Sequence, residues 1–238
     1  MNILILAGLD PSGGAGIAAD VKAARALDCH ALPIVTALTV QNTCDVARVA
    51  SVDAEIVAQQ LDAVLEDVEV HGVKVGLVSG EEVAEVLASK LKKLKVPRVL
   101  DPVIFAGSGA KIGSVEAYKI LLQCVDVVTP NLTEAKILSG KDDLLSAGRE
   151  LRRYARVIVT GGELGGRDHV FEEREYVVEA EFSGITIHGT GCVYSTALAC
   201  YLARGKSLED AARLARLFTL ESVKRALRVG RCYPCVNP

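Results

Sequence analysis

What most constrains the fold is an alternation along the chain. Short runs of Val, Ile, Leu and Ala at residues 3–7, 32–40, 72–78, 99–100, 125–128 and 157–159 are separated by stretches with helical spacing. Within 53–67, apolar side chains recur at Ile56, Val57, Leu61, Val64 and Leu65, the period of a helix with one buried face. Helices are likewise expected at 17–27, 79–93, 115–124, 144–154, 193–204 and 208–229, with a short one between Asn131 and Gly140. Ser79 with Glu82 reads as a capping box for the helix it precedes, and Ser207 introduces the last helix with Asp210 three residues on. Strands alternating with helices of about a dozen residues build βαβ units. The expectation is a three-layer α/β fold: a mainly parallel central sheet with helices on both faces. Only 4% of the residues are aromatic and none is Trp, although half are hydrophobic. Val, Ala, Leu and Ile must therefore build the core, as in strands buried on both faces. Residues 46–52 alternate as a further strand, and 169–171 with 176–178 read as an antiparallel hairpin. No repeat, low-complexity tract or linker divides the chain, so residues 1–238 read as one domain with 231–238 as a C-terminal tail.

Charge and patterning exclude several classes of partner. A net charge of −3 gives no footprint for nucleic acid or an anionic membrane. No apolar run reaches the length of a membrane-spanning helix. No charged-then-apolar leader precedes the first strand, and a cytoplasmic chain is expected. Seven cysteines scattered through apolar surroundings suit reduced thiols. Cys232 and Cys235 have the spacing of a disulfide or of half a metal site, but no second pair completes the ligand set. The tail is therefore read as solvated.

In a sheet of this kind ligands bind beyond the carboxyl ends of the strands. Asp10, Gln41, Asp101, Asn131, Thr160, Gly161, Gly162 and the turn Gly189-Thr190-Gly191-Cys192 all fall there. The turn follows an alternating run at 185–187, read as a strand, and precedes an Ala- and Leu-rich helix. Free backbone N–H groups and the positive end of a helix dipole collect at such a junction and suit an anion. Cys192 stands in the first helical turn, where a thiol's pKa is usually lowered. An anion cradle beside an activatable thiol suggests phosphoryl transfer; a tight glycine turn with a small buried cysteine is the plain alternative.

Other motifs are ambiguous. Residues 14–19 fit the dinucleotide pattern G-x-G-x-x-A, but the glycines come too late after the strand and no acidic residue ends the second strand. The same loop lacks the Gly-Lys-Ser/Thr of a P-loop, and is read as backbone brought close to a small substrate. Asn131 and Glu134 read both as a helix cap with its partner and as oxygen ligands for Mg²⁺. Asp101, before Pro102, is either a turn residue or a second such ligand. Gln41 either ends a strand or reads an aminopyrimidine edge with its donor and acceptor. His188 has no second His or Cys at metal spacing and is read as a loop residue.

Residues 8–20 (GLDPSGGAGIAAD), 36–43 (TALTVQNT), 100–103 (LDPV), 129–134 (TPNLTE) and 188–192 (HGTGC) together resemble the hydroxymethylpyrimidine/phosphomethylpyrimidine kinases of thiamine biosynthesis. The blocks keep the family's order and span nearly the whole chain. The resemblance implies a ribokinase-like fold, a homodimer, and two phosphorylations that use ATP and Mg²⁺. By position it implies that Gln41 bonds the pyrimidine, with Gly8, Ala15, Asp20 and the Val103 backbone around it. It makes Gly189, Thr190 and Gly191 the anion hole and Cys192 the base. Asn131, Thr160, Gly161 and Gly162 would serve the nucleotide, and Asp101 and Glu134 the metal. Two positions depart from the family: Thr160 stands where relatives have Lys, and Gly107 where they often have Lys. Either a basic residue elsewhere, such as Lys111 or Lys136, compensates, or turnover is slow. A pyridoxal/pyridoxine kinase and a non-catalytic pyrimidine sensor are the competing readings.

Overall fold

The computed structural model describes residues 1–179 and 187–238. The expected lead-in strand at 185–187 falls mostly outside them. The described residues form a nine-stranded sheet in the order β3-β2-β1-β4-β5-β6-β7-β8-β9. In chain order the strands are β1 (Asn2–Leu9), β2 (His30–Gln41), β3 (Val46–Ser51), β4 (Gly72–Val75), β5 (Arg98–Leu100), β6 (Val127–Val128), β7 (Arg156–Val159), β8 (Arg167–Phe171) and β9 (Glu175–Glu179). β1 is parallel to β2 and β4, and the parallel pairing continues through β5, β6 and β7. β3, β8 and β9 add antiparallel edges. The chain leaves β1 outward to β2 and β3, then returns to β4 on the other side, which puts a topological switch point between β1 and β4.

Among the described residues eight α-helices cover the sheet: α1 (Gly16–Ala26), α2 (Ala54–Asp67), α3 (Glu81–Leu91), α4 (Val115–Leu122), α5 (Leu132–Ser139), α6 (Leu144–Leu151), α7 (Thr190–Ala203) and α8 (Leu208–Lys224). Strand alternation divides the core. Leu4, Leu6, Val73 and Val75 join the cluster under α2 to α6, while Ile3, Ile5, Ala7 and Val99 join the one under α1, α7 and α8. Both faces are thus apolar, as the near-continuous hydrophobic runs require. Side chains of Asp53, Ser114, Asn131, Asp143 and Ser207 cap α2, α4, α5, α6 and α8, satisfying N–H groups that a helix start leaves without partners.

Three local expectations are corrected. The run at 72–78 is strand only to Val75, and α3 is capped by Gly80 without a side-chain bond. Ser79 is not a cap; its hydroxyl is buried with no partner among the described residues. The last helix stops at Lys224 rather than continuing to 229, because Leu227 pairs with Cys235 instead.

The tail is not solvated. Cys235 and Val236 are buried, and Val236 packs with Ala19, Ala23 and Val193. Backbone bonds tie Cys235 to Leu227 and Val236 to His188. Nor are all the thiols reduced: Cys44 and Cys232 form a disulfide. Cys232 bonds to the turn after β2 and not to Cys235, since pairing with Leu227 and His188 carries Cys235 inward.

Candidate active site

The carboxyl ends of the central strands open into a cavity of about 480 Å³. Gly8, Ala15, Gln41, Val103, Asp101, Asn131, Glu134, Thr160, Gly162 and residues 189–192 all line it. Most of the residues singled out in the sequence are thus brought to one place. Asp20 and Gly161 are not. Asp20 is fully buried against Lys74, and Gly161 packs under the backbone of Gly166 and Arg167 while donating its N–H to Asp168 at 2.6 Å.

The glycine turn is built by close backbone approach. Gly189 has φ of 87° and is the N-cap of α7 with no side-chain bond. A Cβ there would lie 1.9 Å from the carbonyl of Gly14, so glycine is required on both counts. The Thr190 hydroxyl is spent on the carbonyl of Ile187 at 2.8 Å. No side chain therefore caps the N–H groups of the first turn of α7, an arrangement suited to phosphate oxygens. Cys192 sits three residues into that turn. Its thiol does not behave as expected from its place on the helix. Burial pushes it up to about 12; Lys74 opposes the rise, while Asp20 and Asp101 add to it. Desolvation of a thiolate among carboxylates outweighs the helix dipole and the Gly16 N–H that favour it.

Asp10, His188 and Gln41 form a chain. Asp10 accepts bonds from Ser12 N, Ser12 Oγ, Ala15 N and His188 Nε2 at 2.8 to 2.9 Å. Burial opposes ionisation of Asp10, but bonds from His188 and Ser12 hold its carboxyl below the ordinary value. It is an acceptor, so the proton between the two lies on His188 Nε2. Gln41's amide stands 3.1 Å from that same nitrogen. The atom placed there is Gln41 Nε2; an N–H cannot bond a second donor, so we assign the amide turned over, with its oxygen sharing the His188 N–H and its NH₂ free to donate. His188 is thus a structural partner of Gln41 rather than a plain loop residue, held in turn by backbone bonds to Pro234 and Val236.

Asp101 accepts from Ser195 Oγ at 3.0 Å. Glu134 accepts from the N–H groups of Ile104 and Asn131 at 3.2 and 2.9 Å, completing a capping box with Asn131. The cap reading of the pair is therefore realised. Burial, with Asp101's charge adding to it, pushes Glu134 up to about 8. A buried carboxylate raised by its neighbour invites a cation. Mg²⁺ takes one or two carboxylates and completes its shell with water and substrate phosphates, and these residues fit that set. Among the described residues no group of three or more His, Cys, Asp or Glu could hold a metal without such help.

The cations differ from expectation. Lys111 and Lys136 do not line the cavity; Lys74 and Arg216 do. Lys74 Nζ lies 3.0 and 2.8 Å from the two oxygens of Asp20, both side chains wholly buried. Burial alone would push the ammonium down, but Asp20, Cys192 and Asp101 hold it above its ordinary value. A signal existed: a lysine between Val73 and Val75 inside an apolar run is almost never buried unless paired. Arg216 interrupts the apolar face of α8 in the same way.

A parallel sheet with its switch point beside an uncapped, glycine-bounded helix start suits a phosphate-bearing ligand, and the similarity to known kinases makes the chain a phosphotransferase of ribokinase-like fold. The phosphomethylpyrimidine kinase family model matches residues 10–237, and the chain belongs to that family. It is 34% identical to the hydroxymethylpyrimidine/phosphomethylpyrimidine kinase of Aquifex aeolicus, covering all of both chains. It is 36% identical to that of Rhizobium meliloti, over 95% of this chain and 91% of the relative. The crystal structure of phosphomethylpyrimidine kinase from Clostridium difficile superposes with a TM-score of 0.80 at 31% identity, over 94% of this chain and 99% of that one. An ADP complex of Bacillus subtilis pyridoxal kinase superposes with a TM-score of 0.88 at 26% identity, over 99% and 96%. No helix among the described residues is long and apolar enough to cross a membrane.

Proposed function

We propose that this chain transfers the terminal phosphoryl group of ATP to the hydroxymethyl group of 4-amino-5-hydroxymethyl-2-methylpyrimidine, and then to the resulting monophosphate, in thiamine biosynthesis. One observation carries the reading. A single cavity joins the oriented amide of Gln41, the uncapped start of α7 and the Cys192 thiol. Gln41 donates to a ring nitrogen, with Gly8, Ala15 and Val103 around the ring. The N–H groups of residues 189–192 hold the oxygens of the transferring phosphoryl group. Asn131, Thr160 and Gly162 bear on the nucleotide. Cys192 accepts the proton of the substrate hydroxyl as its oxygen bonds to phosphorus and the bond to the nucleoside diphosphate breaks. Asp101 and Glu134 would hold Mg²⁺, which would neutralise charge on the phosphates. Exposed Leu38 and Val40 on the β2–β3 hairpin support a homodimer. Dependence on ATP, an intracellular donor, supports a cytoplasmic enzyme.

The test is to incubate the protein with ATP, Mg²⁺ and each candidate acceptor and to identify products by mass. Successive mono- and diphosphorylation of the pyrimidine is expected. Phosphorylation of pyridoxal alone would replace the reading with a pyridoxal kinase, and pyrimidine binding without ATP consumption would make the protein a sensor. Gln41→Leu is expected to weaken pyrimidine binding about 5- to 150-fold, the cost of leaving a polar edge unpaired, with ATP binding unchanged. Unaltered pyrimidine affinity by calorimetry would remove Gln41 from the site.

A further inference from the structure

We infer that Arg216 is a phosphate-binding residue of the nucleotide site, doing there what a lysine at Thr160 would otherwise do. The inference rests on the kinase reading above. Among the described residues four carboxylates line the cavity: Asp10, Asp101, Glu134 and Glu163. A polyphosphate entering such a wall meets repulsion unless a cation answers it. Among the described residues the lining also holds Lys74, Arg216 and His188. Lys74 gives two bonds to Asp20. His188 is taken by Asp10 and Gln41. Arg216 is differently placed. Its side chain is 13% exposed, and its nearest guanidinium nitrogen lies 3.6 Å from Asp168 Oδ1. That is an ion pair too long for a hydrogen bond. The carboxylate therefore anchors the guanidinium without saturating its five donors.

The anchor also fixes where the charge sits. The same Asp168 oxygen accepts the N–H of Gly161 at 2.6 Å. One buried atom thus ties α8 to the turn that follows β7, and sets the guanidinium beside the segment carrying Thr160 and Gly162. A planar fork of N–H donors suits phosphate oxygens better than a point charge does. Gly162 adds no obstruction, since a Cβ there would meet nothing within 4 Å.

Removing Arg216 alone would leave Asp168 buried without its counter-charge, so the test uses two variants. Arg216→Gln/Asp168→Asn removes both charges together, and Arg216→Lys keeps the cation but loses the fork. Inhibition constants for ADP and for adenosine are measured against ATP, alongside pyrimidine affinity and melting temperature. The double variant is expected to lose about 10- to 100-fold in ATP and ADP affinity, with adenosine and pyrimidine affinities unchanged. Arg216→Lys should recover most of that loss. ADP affinity within twofold of the parent in the folded double variant would overturn the assignment. So would an equal loss for adenosine, which would move Arg216 to the base or sugar. Parent protein that phosphorylates no pyrimidine would instead refute the kinase reading, whatever Arg216 binds.

Discussion

Cys192→Ala is expected to slow phosphorylation of the hydroxymethyl group by about 10²–10⁴-fold, the usual contribution of a positioned base. Phosphorylation of the monophosphate should suffer much less. The two steps differ in their acceptor: the first is an alcohol, which must lose a proton, and the second is a phosphate, largely ionised already near neutrality because its second pKa is about 6. The sign of the pH dependence follows from the thiol. Burial pushes Cys192 up to about 12, so the thiolate is the minor form through the whole physiological range. The rate of the first step should rise with pH, about tenfold per unit, without levelling below about pH 10. The second step should lack this limb. Cys192→Asp should keep part of the first activity and move the limb down, because a carboxylate ionises at lower pH even when burial raises it. Kinetics followed separately on the pyrimidine and its monophosphate decide the matter. Equal losses in both steps would make Cys192 a packing residue of the glycine turn, and full activity with an unchanged pH profile would remove it from the chemistry.

The parts legible in the sequence are those governed by local rules. Strand and helix periods gave the three layers, and strand-end residues gave the cavity, because a parallel sheet puts its carboxyl ends on one side. Asn131 with Glu134 and Ser207 with Asp210 are caps as their spacing suggests, whereas Ser79 with Glu82, at the same spacing, is not, because the helix starts one residue later at Gly80. What was not legible depends on distant partners. The resemblance puts Asp20 in the pocket, yet it turns inward to Lys74, 54 residues on. His188 lacked metal spacing and so looked idle; its partners Asp10 and Gln41 lie 178 and 147 residues away. The Cys44–Cys232 bond spans 188 residues, beyond any spacing rule. The Cys192 thiol failed for another reason: helix position favours the thiolate locally, but burial among Asp20 and Asp101 is set by the assembled core.

Lys74→Met is expected to destabilise the protein by about 3–5 kcal/mol, the cost of stranding one member of a buried ion pair. The geometry explains why. Lys74 Nζ spans both oxygens of Asp20 at 3.0 and 2.8 Å, Thr196 donates to the same carboxylate at 2.8 Å, and neither charged side chain reaches solvent. Glycine at 76 leaves room for the ammonium, since a Cβ there would lie 2.7 Å from Nζ. Without Lys74, Asp20 keeps Thr196 but no counter-charge. Lys74→Met/Asp20→Asn buries no net charge and leaves Thr196 an acceptor, so it should regain most of the lost stability in denaturant titrations. Activity should not return with it. Lys74 also attracts the charge of Cys192 and Asp101; its loss leaves the thiol harder to ionise, and the smaller relief from removing Asp20's charge offsets only part of that. The refolded double variant should therefore show a depressed kcat for the alcohol acceptor, its pH limb displaced further upward, and little change in the KM for the pyrimidine. A double variant as active as the parent would reduce Lys74 to a structural partner of Asp20. A single variant as stable as the parent would show that the pair contributes nothing to the fold, and that Asp20 is neutral in its place.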